Sequence, residues 1–596
     1  MTTEATAAAS FTQTEEEIRR FWQRNDVLQA ARAAHGEGRP FVIRQEPLSV
    51  LGPPWIDQVR LLSTTDLFTR YHCMRGKTVQ CETGWACHGL ELEVAVERSL
   101  GPALADCDIT EFNAICHDTA VRGTRLAEGQ AERLGVWFQS EHAFSSLTSE
   151  SIGTVWRILN LLWDEGRLRS QQRVGAYCTR CATHLSAGEA SQSSVESEAS
   201  PVWVRLPWDG KPDAYFLARA SAPWMLMGMV ALAAHPDANY LLVEAGEGPA
   251  RQDLVATRLL VSEEAAARSL PDGFRTVQKL RGQELRDSRF RPLFTFLPDA
   301  AATGRIVLSR SVPVEEGTGL MPVTPAFEGL SLELAQAHSL PVPELLDEWG
   351  SLDEMVASWR GLSPLDAEPL LVDDLRARGL VVREATMKRP QAICPYCDTP
   401  LLQLARPVWL AGDGDSQWVV DRSRPWGTPL PIWVCSDCAE QICVAGLDEL
   451  GHLTGLELEQ GDLHRPAIDR LTFACKSCDG LMRRVTPVVD TSFELAVLSA
   501  TAQAGPADLA ISLDRGDRGW LQDKDQLGTI LQQAVADRPA IALPRKVVGR
   551  SWDHTRSSSG DALRWATYTE TAPHLAEAGF LRQVQHLVQD LLAEPV

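Results

Sequence analysis

The sequence predicts an α/β protein interrupted by a long β-rich insertion. Three observations point there. A buried strand, Phe41-Val42-Ile43, runs into a Pro/Gly-rich turn at 51–54 and then a helical stretch over 57–75, which is how an α/β sheet unit opens. Residues 200–390 carry many short strands, among them Tyr240–Val243 and Ile306–Leu308. Beyond the cysteine pair at 394 and 397 the α/β character resumes.

In chain order, residues 12–34 read as one amphipathic helix, with Ile18, Phe21, Trp22 and Leu28 on helical spacing. The strand, turn and helix of 41–75 follow, and helices dominate 110–170. SQSSVESEAS, residues 191–200, reads as a polar linker before the β-rich stretch. The last 35 residues read as helical.

At 596 residues the chain is long enough for several domains and a sizeable core. Its 44% hydrophobic and 23% charged residues are ordinary globular usage and exclude wholesale disorder. A net charge of −22 excludes a polycation that holds nucleic acid by bulk charge, though not a local basic groove. The N-terminal sequence lacks a basic n-region followed by an apolar h-region, and the most apolar stretch, Ala222–Ala234, is too short to span a bilayer. A cytoplasmic protein with no membrane partner is expected.

Eight of the fourteen cysteines form Cys-x-x-Cys pairs: Cys178/Cys181, Cys394/Cys397, Cys435/Cys438 and Cys475/Cys478. Two thiolates three positions apart grip one side of a tetrahedral ion, so two pairs complete a structural zinc site. The last two pairs share one short segment and are the obvious partners, which leaves the first two to meet across the insertion. The competing reading is redox or incidental cysteine, against which stands the rarity of four thioredoxin-type motifs in one chain. Cys73, Cys81, Cys87, Cys107, Cys116 and Cys443 read as buried small residues, with Cys443 a competitor for the second site.

The run Gly84-Trp85-Ala86-Cys87-His88-Gly89-Leu90 with Glu93 resembles a class I aminoacyl-tRNA synthetase of the isoleucine type. So do YCTRCATHLSAGEA, FLARASAPW, HPDANYLLVE, RGQELRDSRFRPLF, EEGTGLMPVTPAF, RSRPWGTPLPIW, PADLAISLDRGDRGW and GDALRWATYT, which follow in family order. The resemblance implies a Rossmann catalytic domain split by a β-rich, editing-like (CP1) insertion, with zinc knuckles at its borders. It implies an N-terminal helical segment over 1–39 and a first Rossmann half with half a knuckle over 40–198. The insertion would span 199–390, and the knuckles and second Rossmann half 391–545. Residues 546–596 would be a degenerate ATP-signature region and a helical stub, without an anticodon-binding domain. The family would place Cys178, Cys181, Cys394 and Cys397 on one zinc and Cys435, Cys438, Cys475 and Cys478 on another.

The departures carry the functional expectation. Where the family has His-Ile-Gly-His, this chain has Trp55-Ile56-Asp57-Gln58, and a carboxylate there repels triphosphate oxygens. The family's Lys-Met-Ser-Lys-Ser region reads Asp553-His554-Thr555-Arg556-Ser557-Ser558-Ser559, without the ammonium groups that stabilise adenylate formation. The aspartate that holds the substrate ammonium is Ala86, a family glutamine aligns with Gly516, and one pocket tryptophan aligns with Ser492 while Trp520 keeps the other. In the editing-like part the threonine-rich strand is Ala220-Ser221-Ala222-Pro223-Trp224, the histidine is Pro322 and the aspartate is Ser331, yet Gly317-Thr318-Gly319 and Pro325-Ala326-Phe327 remain.

ATP is therefore not expected as a cofactor, and neither editing nor anticodon reading by the family route is expected. A charged tRNA is already activated, and moving its acyl group to a nitrogen needs positioning, a base and oxyanion stabilisation but no phosphate chemistry. The expected activity is an aminoacyltransferase, with isoleucyl-tRNA (acceptor arm and 3′ end) and a small-molecule amine or sulfonamide as partners. Synthetase-like transferases of natural-product pathways, such as that of altemicidin-type sulfonamide antibiotics, supply the analogy. Candidate general bases are His88, Asp57 and Glu494. Pro47, Trp55, Trp85, Ser492 and Trp520 are candidates for the aminoacyl pocket, and Ser221, Trp224, Thr318 and Thr324 for a repurposed editing cleft. The competing readings are a catalytically dead paralogue that binds tRNA or an inhibitor for regulation or resistance, and an ATP-dependent amino-acid ligase.

Overall fold

The computed structural model describes residues 2–34, 38–51, 56–101, 107–137, 143–245, 257–270, 274–297, 303–414, 416–458, 463–501, 509–511, 530 and 547–548. The chain forms two compact units, Met1–Arg169 with Trp409–Val596, and Ser170–Val408. The boundaries read from the sequence lie at 198/199 and 390/391, so both outer cysteine pairs fall inside the second compact unit.

The first unit is built on a parallel sheet. Its strand order is Val547–Val548, Leu509–Ile511, Arg39–Gln45, Lys77–Glu82. The Arg39–Gln45 strand leads through the helix Ile56–Met74 into Lys77–Glu82, the crossover that parallel neighbours require. Register sets Ile43 beside Cys81 and Arg44 beside Glu82. The Arg44 guanidinium meets the Glu82 carboxylate at 2.9 Å, so this buried charge pair is satisfied across adjacent strands.

Helices Ile109–Arg133 and Ser149–Asp164 start where Asp108 and Thr148 accept backbone N–H bonds of the first turn. The first of them passes so near Val50 that a Cβ on Gly123 would lie 1.7 Å from the Val50 carbonyl oxygen. The N-terminal segment is two helices, Thr2–Asn25 and Val27–Ala34, rather than the single one expected over 12–34. The break is Asp26, in the left-handed region at φ 46°. Arg70 pins this segment, with its guanidinium 4.7 Å from the Trp22 ring and 4.4 Å from the Trp137 ring.

The second unit is the β-rich insertion. A six-stranded sheet runs Phe274–Arg281, Asn239–Ala245, Arg258–Ser262, Ala214–Ala220, Val202–Pro207, Val381–Glu384. A three-stranded sheet, Arg305–Leu308, Ala231–Ala234, Leu320–Val323, shares its core, which includes Phe216, Tyr240, Leu260, Leu232 and Phe327. Within the stretch read as a polar linker, Ser194–Ala199 is instead a strand, paired antiparallel with Met387–Ala392. Its polar side chains stay outside while its backbone is satisfied by a partner some 190 positions away. Among the described residues no helix is long and apolar enough to cross a membrane. The C-terminal stretch expected to be helical lies outside the described residues.

Candidate functional site

The four cysteine pairs assemble as two sets, Cys178/Cys181/Cys394/Cys397 and Cys435/Cys438/Cys475/Cys478, each with its sulfurs within 4.8 Å of one another. In the first, Sγ of Cys397 lies 3.4 Å from Cys178 and 3.5 Å from Cys181. In the second, Cys435–Cys478 is 3.4 Å and Cys438–Cys475 is 3.7 Å. A tetrahedron with Zn–S bonds of about 2.3 Å has edges of about 3.8 Å, so both sets fit zinc.

The local backbone makes the same case. Ala182, Asp398 and Ala439, each directly after the second cysteine of a pair, have positive φ of 49°, 62° and 60°. Backbone N–H groups also point at sulfur: Cys181 N to Cys178 Sγ at 3.4 Å, Asp437 N to Cys435 Sγ at 3.4 Å, Gly480 N to Cys478 Sγ at 3.3 Å. Such donors favour thiolate, and those of Cys438 and Asp437 draw the Cys435 thiol down to about 7. Cys443 is outside the second set. It is buried with Val155, Leu159 and Phe493, and burial pushes its thiol far up. Cys73, Cys81, Cys87 and Cys116 are likewise buried, and Cys107 is half-buried.

Two of the three candidate bases meet in the first unit. His88 follows the strand Gly84–Ala86, and Glu494 sits in the first turn of the helix Thr491–Ala500. Nδ1 of His88 lies 3.0 and 3.1 Å from the two Glu494 carboxylate oxygens, and both side chains are 1% exposed. Thr428 donates its hydroxyl to the same carboxylate. Nε2 of His88 lies 2.9 Å from Nε2 of His464. Both ring nitrogens of His88 are thus engaged inside the protein. His464 stacks on Trp426 at 4.5 Å and 16°, and the Trp426 indole N–H donates to the Cys87 carbonyl at 3.0 Å.

The helix bearing Glu494 is fixed at its start. Asp490 accepts from Ser492 N and Phe493 N at 3.0 and 3.2 Å and from Arg422 Nε at 2.6 Å. Gly89, at φ 123°, passes so close that a Cβ there would lie 3.1 Å from the Thr491 hydroxyl. Nearby in sequence, Glu93 and Glu97 converge on the fully buried Arg424, at 2.7 and 2.5 Å. Burial outweighs that guanidinium and pushes the Glu93 carboxyl up to about 7.

The remaining pocket candidates are spread differently. Ser492 is exposed, Pro47 half-buried, and Trp85 is core, packed with Ile43, Leu48 and Leu92. Trp55, Trp520, Gly516, the side chain of Asp57 and the whole 553–559 region lie outside the described residues. In the second unit Ser221 is exposed. Trp224 is buried edge-on against Phe327 at 4.7 Å, and its backbone N–H donates to Glu368 at 3.3 Å. Thr318 is fully buried and turns its hydroxyl onto its own loop, donating to the Leu320 carbonyl at 3.2 Å. Thr324 is buried too, and its carbonyl accepts from Phe327 N and Glu328 N. Gly319 is held by packing, since a Cβ there would be 2.3 Å from the Ser262 side chain. Ser331 is buried and donates to Glu328 at 2.5 Å.

Sequence reasoning missed His464, Thr428 and Trp426 as neighbours of His88. His464 is 376 positions from His88 and Glu494 is 406, so no local pattern joins them. The fragment RSRPWGTPLPIW does contain Trp426 and Thr428, and was the available signal.

The sequence pattern of the tRNA synthetases class I (I, L, M and V) matches residues 17–512, and the chain belongs to this family. It has the family's α/β fold with a CP1-like β-rich insertion. The isoleucine–tRNA ligase of Thermus thermophilus is 29% identical over 95% of this chain and 59% of its own length. That of Streptomyces avermitilis is 30% identical over 80% of this chain and 48% of its own. The chain thus spans about half to three-fifths of these relatives. The structure of Agrobacterium radiobacter K84 agnB2 LeuRS in a ternary complex with tRNA and LeuAMS superposes with a TM-score of 0.47. It is 14% identical and covers 96% of this chain and 75% of that one.

Proposed function

We propose that the protein is a synthetase-like aminoacyltransferase. It moves an aminoacyl group, L-isoleucyl, from charged tRNA to a small-molecule amine or sulfonamide in antibiotic biosynthesis of the altemicidin type, without activating the amino acid with ATP. The observation that carries this reading is the altered first ATP signature at 55–58, inside the stretch 17–512 that matches the family, together with the lack of lysine in the 553–559 region read as the second. The isoleucine type of the relatives supports the choice of acyl group. Ala86 in place of the ammonium-binding aspartate supports a site that no longer selects a free amino acid.

In the reaction, the acceptor nitrogen attacks the ester carbonyl. A C–N bond forms, the C–O bond to the ribose breaks, and the proton shed by nitrogen ends on the ribose hydroxyl. Asp57 and Glu494 are the candidate bases for this proton, and His88, with both nitrogens engaged, is a positioning residue. Ser492, Pro47, Trp55 and Trp520 are the candidates for the aminoacyl pocket. Zinc on the two four-cysteine sets holds the knuckles folded.

The test is isoleucyl-tRNA charged with carbon-labelled isoleucine, incubated without ATP with a panel of amines and sulfonamides and read by mass spectrometry. A labelled amide supports the proposal. Free isoleucine alone means hydrolysis, and an untouched ester means a binding protein; either overturns it. ATP–pyrophosphate exchange with free isoleucine would overturn it in favour of a ligase.

A further inference from the structure

The buried chain Glu494–His88–His464 has a protonation pattern dictated by its geometry. Glu494 as carboxylate accepts a hydrogen bond from the Thr428 hydroxyl and faces Nδ1 of His88 with both oxygens, at 3.0 and 3.1 Å. A carboxylate only accepts, so the proton of His88 must sit on Nδ1. Nε2 of His88 then carries a lone pair. The 2.9 Å gap to Nε2 of His464 is a hydrogen bond only if His464 supplies the proton there. Two protons in that gap would repel, and none would leave two buried lone pairs facing each other, so one tautomer of His464 selects one tautomer of His88.

The surroundings hold the rings in place. His464 is 5% exposed, and Trp426 lies flat against it. Asn113 donates to the carbonyls of Pro425 and Arg465, at 3.0 and 2.7 Å, tying together the two segments that present Trp426 and His464. The chain latches the segment after the Gly84–Ala86 strand to the first turn of the helix Thr491–Ala500. Ala86 and Ser492, two of the altered pocket positions, each lie two residues before a member of the latch.

We propose that His464 is a positioning residue: through the Nε2–Nε2 hydrogen bond it fixes the Nδ1–H tautomer of His88, and so holds the Glu494 carboxylate in one orientation. The kinetic part of this inference rests on the transferase reading; the tautomer part does not.

The experiment is ring-¹⁵N NMR on the full-length, zinc-loaded protein with labelled histidine. Signals among the thirteen histidines are assigned from His88→Gln and His464→Gln. In the unmodified protein, His88 is expected protonated on Nδ1 and bare on Nε2, and His464 protonated on Nε2. His88 protonated on Nε2, or averaged between tautomers, in the unmodified protein overturns the inference.

Isoleucyl transfer is measured alongside. His464→Ala removes the donor and is expected to lower kcat ~10- to 100-fold, the worth of one hydrogen bond coupled to a charge, with KM for charged tRNA within about twofold. His464→Gln, whose amide N–H donates to the same nitrogen, is expected to restore the His88 signature and most of kcat. A glutamine variant no better than the alanine one, or an alanine variant as fast as the parent, overturns it. Absence of amide with the expected tautomers would sink the transferase reading alone, and amide formation with the wrong tautomers would sink the latch alone.

Discussion

Replacing Arg424 by Met tests how the first unit tolerates charge in its core. The guanidinium is 0% exposed and bridges Glu93 and Glu97, which are 1% and 2% exposed and one turn apart on the helix Leu90–Leu100. Removing the cation leaves two facing carboxylates without the guanidinium that bridges them. Breaking a buried pair in this way costs ~3–5 kcal/mol, or roughly 150- to 5,000-fold in the local opening equilibrium. Part of the cost is relieved if the carboxylates take up protons. Glu93 is already pushed up to about 7 by burial, so the damage is larger at pH 8, where it is charged, than at pH 6.

The assay is amide hydrogen exchange followed by mass spectrometry on peptides covering 90–100, at both pH values. Exchange in the Met variant is expected to accelerate at least a hundredfold at pH 8. Adding Glu93→Gln and Glu97→Gln to it should recover at least tenfold, because uncharged amides cost less to bury. Acceleration below about threefold at pH 8, or no recovery in the triple variant, would refute the argument that the guanidinium neutralises a buried acidic pair.

Metal analysis should find two zinc ions per chain, falling to one in Cys181→Ser. A chelator should strip the Cys435/Cys438/Cys475/Cys478 site first, because Cys438 is exposed whereas Cys178, Cys181 and Cys394 are buried. Gly123→Ala should cost ~1–3 kcal/mol and lower Tm, since the new methyl meets a backbone carbonyl that has no rotamer to move; an unchanged Tm would refute the close approach. Glu93→Gln should flatten the pH dependence of stability between its ordinary value of 4.5 and about 7. A raised folded-state pKa means that the native protein binds the extra proton, so its contribution is present at low pH and lost as pH rises through that window. A denaturation midpoint whose pH slope is unaltered by the substitution would contradict this.

What could be read along the chain is what local chemistry specifies. The Phe41-Val42-Ile43 strand and the helix after it follow from hydrophobic periodicity and from Pro and Gly at the turn, and the structure has both at Arg39–Gln45 and Ile56–Met74. The two four-cysteine sets were legible because a Cys-x-x-Cys turn builds half a tetrahedron from four consecutive residues. Pairing the halves needed only the distances between them, and the fold closes the first set across more than 200 residues as the spacing implied.

Other features depended on partners far away. Asp26 breaks the first helix by its backbone conformation in a sequence whose periodicity runs on. Ser194–Ala199 looks like a linker because its side chains are polar, and is a strand because Met387–Ala392 accepts its backbone. Thr318 reads as a cleft residue and is a buried turn, its hydroxyl spent on Leu320. His88 and Glu494 were each nameable as candidates, but not that one carboxylate, two imidazoles and an indole from four distant segments form a single hydrogen-bonded and stacked unit. Composition and periodicity carry which residues prefer burial, turn or metal. Which acceptor each buried proton faces is a property of segments hundreds of residues apart, and only the tertiary structure brings those together.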